Sequence, residues 1–565
     1  MQRFLSGRML GGLLGVAGLL TAACSTPAPQ SGGTTGPADG PVQPKVNRVV
    51  MAVFPPTSEN NDPRGDRGPT NWVHRPYYEY LVGVDPETGK YSPQLATSWK
   101  LEPDGKSFRF KLRTGVPFHH GKGEFGPDAL IDTFKLQTRD AQIEGVNATS
   151  NIYNLLNPLI DRIEKTGPDE AVMHLKTTDG TFMLTISEQR GVFYMISAQH
   201  FNELNPPTWQ TGPAAGTGPY MYKERAQAQY FRYERAPYKH WRVTPDFPEF
   251  EFRFIKEAST RMAGLLAGEV HMADLPDDQK AEAEKRGFKL LAGKVPGLRS
   301  MIKIWCCHLN DSKDLSSGWM HPESPLADVR VRRALSKAID RTQLNKAFFR
   351  GQGDLIHNIH FHPTRQGWDP SWVNRFQEHL GFDVEAAKKL LADAGYGPNN
   401  PMETNILFPT ESYGYSGGED IMDAIAGMWR NVGVKVNYLT IEPAQRTQRS
   451  NAYSLFNHLV LGGTASDSWT GITTYGSTQG TSKGTGIELP EADRVLARIR
   501  NTVDDAEQEK LWREAGEALF TGVREIPLLW IPVETAVDPK IVAGYQFPGA
   551  ITGAWTHVFN IKAAR

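Results

Sequence analysis

The run from Pro93 to Gly121 constrains the fold of this chain more than any other segment. Phe108, Phe110 and Leu112 alternate with polar and charged residues, which is the pattern of a strand with one buried face. Pro103-Asp104-Gly105 stands just before that strand and is typical of a tight turn. The run therefore predicts a β-hairpin.

The N-terminus has the features of an export signal. Arg3 and Arg8 precede a mostly apolar stretch, Met9 to Leu20, that is too short to span a bilayer permanently. Thr21-Ala-Ala-Cys24 follows and resembles a bacterial lipoprotein processing site, although such sites usually have Leu where Thr21 stands. Lipidation of the cysteine would hold the protein at a membrane surface. Cleavage after Ala23 with release of the protein is the alternative.

Composition divides the remaining chain into a tether and a large folded part. Residues 24–45 are mostly Ser, Thr, Pro, Gly, Ala and Gln and cannot bury a core, so we expect a disordered tether. The 565-residue chain is 39% hydrophobic, which is enough for two or three domains. A formal net charge of −1 favours no binding to nucleic acid or to an anionic surface.

Besides Cys24, the chain has only the adjacent Cys306 and Cys307. A bond between neighbouring cysteines would be strained, so we expect two buried thiols in a strand, with a disulfide as the alternative. The fold is not expected to depend on disulfides.

Two helices are predicted in the second half of the chain. Asp328 is placed to cap a helix that runs to Arg341, and its arginines are expected on a solvated, salt-bridged face rather than as ligand clamps. The second helix runs from Val384 to Ala394, with Asp383 as its cap and Gly395 at its end. The apolar stripe of the first helix comprises Val331, Ala334, Leu335, Ala338 and Ile339.

A strand, a helix and a second strand follow these two helices. The strands are predicted at Asn405–Phe408 and Val434–Ile441, and the helix at Glu419–Val432 with Gly433 as its stop. This order is typical of a βαβ unit and indicates a sheet with parallel strands.

Several motifs together resemble the peptide, nickel and oligosaccharide class of solute-binding proteins, family 5, which serve ABC importers. The resemblance runs in order, without large gaps, over residues 75–535. One of these motifs, Gly216-Thr-Gly-Pro-Tyr220, could be interpreted as a phosphate loop, but no Gly-Lys-Ser/Thr follows it. The motifs are Tyr78-Glu79-Tyr80-Leu81, the run from Pro93 to Gly121, Gly216-Thr-Gly-Pro-Tyr220, Arg261 to Val270 and Asp328 to Arg341.

The resemblance implies an α/β fold with two lobes, the type II periplasmic-binding-protein fold, and an additional α/β domain. The chain would cross between the lobes near Met301–Trp305 and Ile526–Ile531, which are our hinge candidates. The implied segments are the signal peptide, 1–23; the lipidated cysteine and tether, 24–45; the first lobe, 46–75 with 200–300 and 530–565; the additional domain, 76–199; and the second lobe, 306–525.

The resemblance further implies a monomeric receptor that delivers a peptide or a related small polar solute to an ABC importer by hinge closure. A ligand that touches both lobes favours the closed state, and only this difference in affinity drives closure. Permease and ATPase subunits would be its partners, and its location would be the periplasm or cell surface, anchored through Cys24. The sequence has no Gly-x-x-x-x-Gly-Lys-Ser/Thr motif, and we expect no enzyme activity and no cofactor.

Aromatic residues from both lobes line the pockets of this family, although each aromatic residue here has a core position as its alternative. Asp467 occupies the stretch where dipeptide receptors carry an aspartate for the ligand's amine, and we predict that role for it. Dipeptide receptors also hold the ligand carboxylate with an arginine near residues 409–420, where this chain has Glu411 and no basic residue. Glu411 in the pocket would favour a cationic, amine-rich or sugar-like solute. The predicted ligand-binding residues are Asp467, Trp469, Glu411, Tyr413, Trp305, Trp72 and Tyr77.

A lipid-anchored hydrolase is the alternative from another class of protein. Gly414-Tyr-Ser416-Gly-Gly418 fits Gly-x-Ser-x-Gly, and His458 and Asp467 follow it. A nucleophile elbow places its serine directly at the end of a strand, whereas residues 409–415 separate Ser416 from the predicted strand. We therefore interpret the motif as a loop.

The segment His357 to His362 holds the densest group of histidines. His360 and His362 would share a face in an extended chain, which suits a transition-metal pair. No carboxylate or cysteine lies within the group, and zinc-type sites need about four ligands. We expect loop or surface histidines and no metal site, with a metal chelate as an alternative solute.

Overall fold

The computed structural model describes residues 43–56, 59, 61, 64, 71–139, 142–143, 148–149, 151–204, 212–293, 295, 297–408, 411–412, 418–464, 468–474, 477–478, 484–548 and 555–565. No helix in these ranges is long and apolar enough to cross a membrane.

The strands are, in chain order, β1 (Arg48–Val53), β2 (Val82–Val84), β3 (Tyr91–Pro93), β4 (Ala96–Leu101), β5 (Ser107–Leu112), β6 (Gln142–Ile143), β7 (Ala148–Thr149), β8 (Ile160–Gly167), β9 (Glu170–Leu175), β10 (Tyr220–Ala226), β11 (Tyr230–Arg235), β12 (Glu249–Phe254), β13 (Met272–Ala273), β14 (Lys289–Ala292), β15 (Leu298–Trp305), β16 (Asp354–Leu355), β17 (Glu403–Phe408), β18 (Glu411–Ser412), β19 (Lys435–Thr440), β20 (His458–Thr464), β21 (Glu525–Ile531), β22 (Glu534–Val537), β23 (Val542–Gly544) and β24 (Lys562–Ala563).

The α-helices are α1 (Pro127–Gln137), α2 (Asn151–Leu156), α3 (Phe182–Ile186), α4 (Ala198–Glu203), α5 (Ala258–Ala267), α6 (Asp277–Lys285), α7 (Val329–Lys337), α8 (Arg341–Phe348), α9 (Ser371–His379), α10 (Val384–Asp393), α11 (Gly418–Asn431), α12 (Pro443–Asn451), α13 (Ser468–Thr474), α14 (Pro490–Arg500) and α15 (Asp505–Gly522). Short 3-10 helices lie at Asn71–Val73, His119–Gly121, Pro325–Ala327 and Val558–Asn560.

Two large sheets dominate the molecule. The first sheet has the order β10-β11-β12-β1-β13-β22-β14. Its central strand β1 pairs in parallel with β12 and β13, and five of its six residues are buried. Such a continuous apolar strand is typical of a parallel sheet covered on both faces. The apolar core of this sheet is rich in aromatic rings, among them Phe231, Tyr233, Phe250 and Phe252.

The second sheet has the order β16-β21-β15-β20-β17-β19, with β18 beside β20. β17, α11 and β19 form the predicted βαβ unit, and the two strands are parallel, which confirms that prediction. All eight residues of β15 are buried, because this strand lies in the middle of the sheet. The second sheet has its own apolar core.

The chain passes from the first sheet to the second at residues 293–297, between β14 and β15, and returns at residues 532–533, between β21 and β22. The hinge candidates Met301–Trp305 and Ile526–Ile531 instead lie within β15 and β21, inside the second sheet. Their apolar, β-like composition is that of two buried neighbouring strands. The links themselves precede β15 and follow β21.

A smaller sheet has the order β4-β5-β9-β8. β4 and β5 are antiparallel neighbours, which confirms the predicted hairpin. In its turn, Asp104 Oδ1 accepts hydrogen bonds from the backbone N–H groups of Lys106 (3.0 Å) and Ser107 (2.9 Å). A short aspartate side chain that bonds to the backbone two or three residues later stabilises such turns.

The two predicted helix caps are also present. Asp328 accepts a hydrogen bond from the N–H of Arg330 at the start of α7, and Asp383 accepts one from Ala386 at the start of α10. These bonds satisfy N–H groups that have no partner within the helix.

The predicted helix from Asp328 to Arg341 is divided between α7 and α8, and the prediction that its arginines form a solvated face is wrong for Arg332 and for Arg341, which are both buried. Arg330 is exposed and pairs with Asp328, as predicted. Arg332 is buried, and its guanidinium donates to the carbonyl groups of Leu326 (2.7 Å) and Gly522 (2.7 Å). Five donors in one planar group allow a buried arginine to satisfy several backbone carbonyls that lie far apart in sequence.

The structure joins Cys306 to Cys307 by a disulfide, where we expected two thiols within a strand. The pair follows the last residue of β15, and Cys307 has a φ of 60°. The chain therefore leaves the extended conformation here, so the two neighbouring side chains no longer point to opposite faces. Both residues are fully buried.

Candidate functional site

The carboxyl ends of the parallel strands in the first sheet lie at one edge. β1, β12 and β13 end there, and β22 begins there because Ala536 of this antiparallel strand pairs with Ala273. Ala292, the last residue of β14, pairs with Glu534 at the same edge. Both chain crossings to the second sheet therefore start from the carboxyl edge of the first sheet.

The crossings reach a matching edge of the second sheet. Thr464, the last residue of β20, pairs with Arg299 near the start of β15, and Leu298 pairs with Ile531 at the end of β21. β20 is parallel to β17 and β18, so its carboxyl end is also the carboxyl side of these strands. The two carboxyl edges thus meet at the crossings. In open α/β sheets, ligands bind outside the carboxyl ends of the strands, which makes this junction the candidate site.

An aromatic group lies at the first-sheet edge, formed by Phe54, Trp72, Phe254 and Trp555. The ring of Trp555 lies 5.0 Å from that of Phe54 and 5.1 Å from that of Trp72, and Trp72 lies 5.9 Å from Phe254. Trp72 and Trp555 are buried, whereas Phe54, directly after β1, is 38% exposed. Edge-on ring packing holds the group together and leaves the Phe54 ring as an apolar contact surface.

A charged network lies within the second sheet, formed by Arg299, His360, Arg524 and Glu525. All four residues are buried. His360 Nε2 lies 2.7 Å from Glu525 Oε2 and 2.9 Å from Arg524 Nη2. Buried charges are tolerated when they are paired and hydrogen-bonded in this way.

Burial and the charge of Arg299 lower the pKa of His360 to about 3, so this imidazole is neutral at neutral pH. Burial alone would raise the pKa of Glu525, but His360 and Arg524 lower it to about 2. Glu525 is therefore ionised and balances part of the positive charge of the two arginines.

The charged network supports α13, the helix that follows the carboxyl end of β20. Ser468 Oγ donates to the backbone carbonyl of His360 (2.6 Å). A Cβ atom at Gly471 would lie 2.5 Å from Arg299 Nη2 and 2.5 Å from His360 Nδ1, so only glycine permits this approach. The network thus contacts α13 at Ser468 and Gly471 and holds this helix in place.

Two predicted ligand-binding residues lie at these edges. Trp72 belongs to the aromatic group. Trp469 lies on α13, is half-buried, and has its ring 6.2 Å from that of Trp512.

Two others lie in apolar cores. The ring of Tyr77 lies 4.4 Å from that of Tyr78 and 6.1 Å from that of Tyr233, inside the first-sheet core. Trp305 is the last residue of β15, at the end away from the crossings, and packs in a buried cluster with Leu407 and Val460. The structure does not bring either residue to the junction, because β15 runs away from it and Tyr77 faces inward.

Asp467, Tyr413, Ser416 and Cys24 lie outside the described residues. For Glu411, only the strand position is described, in β18 beside Gly462 of β20. His458 begins β20, at the end opposite Thr464.

The structure adds three residues that sequence reasoning missed, namely Phe54, Trp555 and Arg299. Phe54 directly follows the first strand, and a residue at that position in an α/β sheet could have been proposed. Arg299 and Lys303 are the only charged residues in β15, so their presence in an otherwise apolar strand was a usable signal. Trp555 has no local signal, because its neighbours in space are distant in sequence.

His360 lies in a loop between β16 and α9, as expected, but it is not at the surface, because it is fully buried. His360 has a φ of 70°, so the chain is not extended there, and the two histidines do not share a face as an extended chain would require. His362 instead has Nδ1 2.8 Å from the hydroxyl of Thr364. No group of three His, Cys, Asp or Glu side chains suited to a metal ion occurs in the part of the chain that the structure describes.

The family model for the middle region of the bacterial extracellular solute-binding proteins, family 5, matches residues 90–483. Heme-binding protein A of Haemophilus influenzae is 26% identical over 83% of this chain and 84% of its own length. The dipeptide-binding protein of Escherichia coli is 24% identical over 83% of this chain and 86% of its own length.

Among solved structures, HbpA2 from Haemophilus parasuis has a TM-score of 0.71 and 22% identity, and the match covers 92% of this chain and all of the other. This likeness supports the two-lobed α/β fold. The family match extends over most of the chain and includes all of α7, α11 and β20. The chain therefore belongs to family 5 of the bacterial extracellular solute-binding proteins.

Proposed function

We propose that this protein captures a peptide or a related small polar solute at the junction of its two sheets and delivers it to an ABC importer. The observation that carries this proposal is the meeting of two carboxyl edges at two short crossings, with the partly exposed Phe54 on one side. The family consists of transport receptors, so the protein is not an enzyme. This family membership rules out the hydrolase alternative based on Ser416.

Capture works by hinge closure. A solute between the edges contacts both lobes only when they are closed, and it therefore stabilises the closed state. A closed state that begins at about one per cent needs ~5.5 kcal/mol of differential binding to reach about ninety-nine per cent. The links at residues 293–297 and 532–533 are the hinge in this proposal.

The peptide assignment follows the names of relatives such as the dipeptide-binding protein of Escherichia coli. We assign the ligand's amine to Asp467, which precedes α13 directly. Support for this role comes from the position of α13, the helix that follows Asp467 in sequence, after the carboxyl end of β20. Glu411 would favour a cationic or hydroxyl-rich solute over a simple dipeptide.

A metal chelate such as heme is the second candidate solute. Heme-binding protein A is among the relatives, and the partly exposed Phe54 ring of the aromatic group offers an apolar surface of the kind that packs against a flat macrocycle.

The protein acts outside the cytoplasm and serves ABC permease and ATPase subunits, as its family does. We further propose that it is a monomer and that Cys24 carries the lipid that anchors it. Replacing Cys24 by Ala should move the protein from the membrane fraction to the soluble fraction, whereas an unchanged membrane fraction would contradict the anchor.

A thermal-shift screen tests the proposed function. The purified protein is heated with di-, tri- and oligopeptides, amines, oligosaccharides, hemin and Fe(III)-EDTA. A true solute at a hundredfold excess over its Kd should add ~2.7 kcal/mol of stability. A shift with peptides supports the first candidate, and a shift with hemin or the chelate alone supports the second. No shift with any compound would contradict the receptor proposal.

A further inference from the structure

The turn between β9 and α3 reaches away from the four-stranded sheet and touches helices of the second lobe. The N–H of Gly180 donates to the carbonyl of Arg500, the last residue of α14 (2.7 Å). The carbonyl of Gly180 accepts from Nε2 of Gln508 on α15 (2.9 Å). Both helices contribute residues to the core of the second sheet. Gly180 is therefore hydrogen-bonded in both directions across the contact.

This contact gives a hydrogen-bond partner to a backbone carbonyl at the end of α14. The last carbonyl groups of an α-helix have no partner within it. In α14, the carbonyl of Arg500 is one of these groups, and it accepts its hydrogen bond from the N–H of Gly180. The side chain of Arg500 completes the contact, because its Nε donates to Oδ2 of the buried Asp179 (3.1 Å).

The contact also depends on the absence of a side chain at Gly180. A Cβ atom there would lie 2.0 Å from the carbonyl oxygen of Thr502 and 2.6 Å from that of Ile499. The φ of Gly180 is not in the left-handed region, so its own backbone would accept another residue. Glycine is therefore required by the neighbouring lobe and not by the turn.

A second contact joins the same two parts of the molecule. Arg190 Nη1 donates to the hydroxyl of Thr470 on α13 (2.6 Å). α13 is the helix that follows the carboxyl end of β20, so this contact lies beside the candidate site.

We propose that Asp179 and Gly180 form a latch that stabilises the closed arrangement of the lobes and so sets the affinity for the solute without touching it. This inference rests on the hinge closure of the proposed function. Because the latch exists only when α14 and α15 meet the turn, it raises the closed fraction of the free protein. The apparent Kd is inversely proportional to that fraction, so it falls as the closed fraction rises.

Pulsed electron paramagnetic resonance on the solute-free protein tests the latch. Spin labels are placed at Asp132→Cys on α1 and Val373→Cys on α9, both exposed. The docked population is the fraction of molecules whose label-to-label distance matches the described structure, in which the turn contacts α14 and α15. We expect Gly180→Ala to reduce this docked population at least threefold. Arg500→Ala should also reduce the docked population, by a smaller factor. The side chain of Arg500 is 55% exposed, so its removal should leave folding intact.

Two matched variants serve as controls. Gly167→Ala alters a glycine of the same four-stranded sheet, where a Cβ would meet only Glu170 at 3.4 Å. Arg498→Ala removes an exposed arginine of α14 that pairs with Glu514 inside the second lobe. Both should leave the distance distribution unchanged.

The latch is overturned if the Gly180 variant has the same distribution as the parent protein, if the controls change it equally, or if the parent protein has no docked population. No solute is added, so this result is independent of the thermal-shift screen. Failure of every compound in that screen would contradict the receptor proposal and leave the latch measurement intact.

Discussion

At the scale of single residues, the molecule places its most unusual side chains where distant segments meet. The charged network joins β15, β21 and the segment before α9, and its neutral His360 is surrounded by groups that are ionised. A neutral imidazole avoids the cost of a third positive charge between two buried arginines.

Stability should fall as the pH is lowered from 7 to 5. Burial lowers the pKa of His119 to about 4, of His557 to about 4 and of His360 to about 3, against 6.5 in the unfolded chain. Below pH 6.5 the unfolded chain therefore binds protons that the folded protein does not. Each such histidine removes up to about 1.4 kcal/mol of stability per pH unit.

Two buried acids oppose this trend. Burial raises the pKa of Asp274 to about 6 and also raises the pKa of Asp493, so the folded protein binds protons there that the unfolded chain does not until the pH is lower. Three histidines outweigh two acids, and urea unfolding should show a net loss of roughly 2 kcal/mol or more at pH 5. Equal or higher stability at pH 5 than at pH 7 would contradict these protonation states.

Phe54→Ala should weaken solute binding and leave stability nearly unchanged. An aromatic contact contributes about 0.5–1.5 kcal/mol, which corresponds to a roughly two- to tenfold rise in Kd. Tyr438→Ala is the control, because this ring is 45% exposed on β19 and lies on an edge strand of the second sheet. Calorimetry with a compound from the screen measures both variants, and equal affinities for all three proteins would remove Phe54 from the site.

At the scale of elements, the segments with strong local signals could be predicted from the sequence. The β4–β5 hairpin and the Asp328 and Asp383 caps depend on residues within a few positions of one another, and each element of the β17-α11-β19 unit has its own local pattern. The burial of Arg332 could not be predicted, because its acceptors include a carbonyl of Gly522, far along the chain.

The candidate site was harder to predict than the fold. The ligand-binding roles of Trp72 and Trp469 stay predictions. The aromatic group around Trp72 also includes Phe54 and Trp555, whose proximity depends on the whole first sheet. Cys307 was misplaced because its positive φ ends the extended segment that we expected there. Cysteine gives no sign of such a conformation in a sequence. His360 also has a positive φ, which is uncommon although histidine adopts it more often than most residues do.

The position of α13 should depend on Gly471. Gly471→Ala places a methyl group against Arg299 and His360 and should cost about 1–3 kcal/mol of stability. Gly427→Ala in α11 is the matched control, because nothing lies within 4 Å of a Cβ there. Alanine is favoured over glycine in a helix by up to about 1 kcal/mol, so the control should stabilise the protein. Denaturant midpoints measure both, and two stabilising substitutions would contradict the close approach at Gly471.

At the scale of the whole molecule, the two sheets have separate cores and are joined by two links. Independent cores allow the lobes to move as rigid bodies, and short links restrict that motion to a hinge. The same arrangement places the candidate site at the junction, where movement of one lobe changes the space available to a solute.

The distance between the lobes with and without solute tests this account most directly. Spin labels at Leu266→Cys on α5 and Val373→Cys on α9 occupy exposed positions on the first and second lobes. Adding a compound that raises the melting temperature should replace a broad distance distribution by a narrow one at a single shorter distance. A compound that binds tightly and leaves the distribution unchanged would contradict capture by closure.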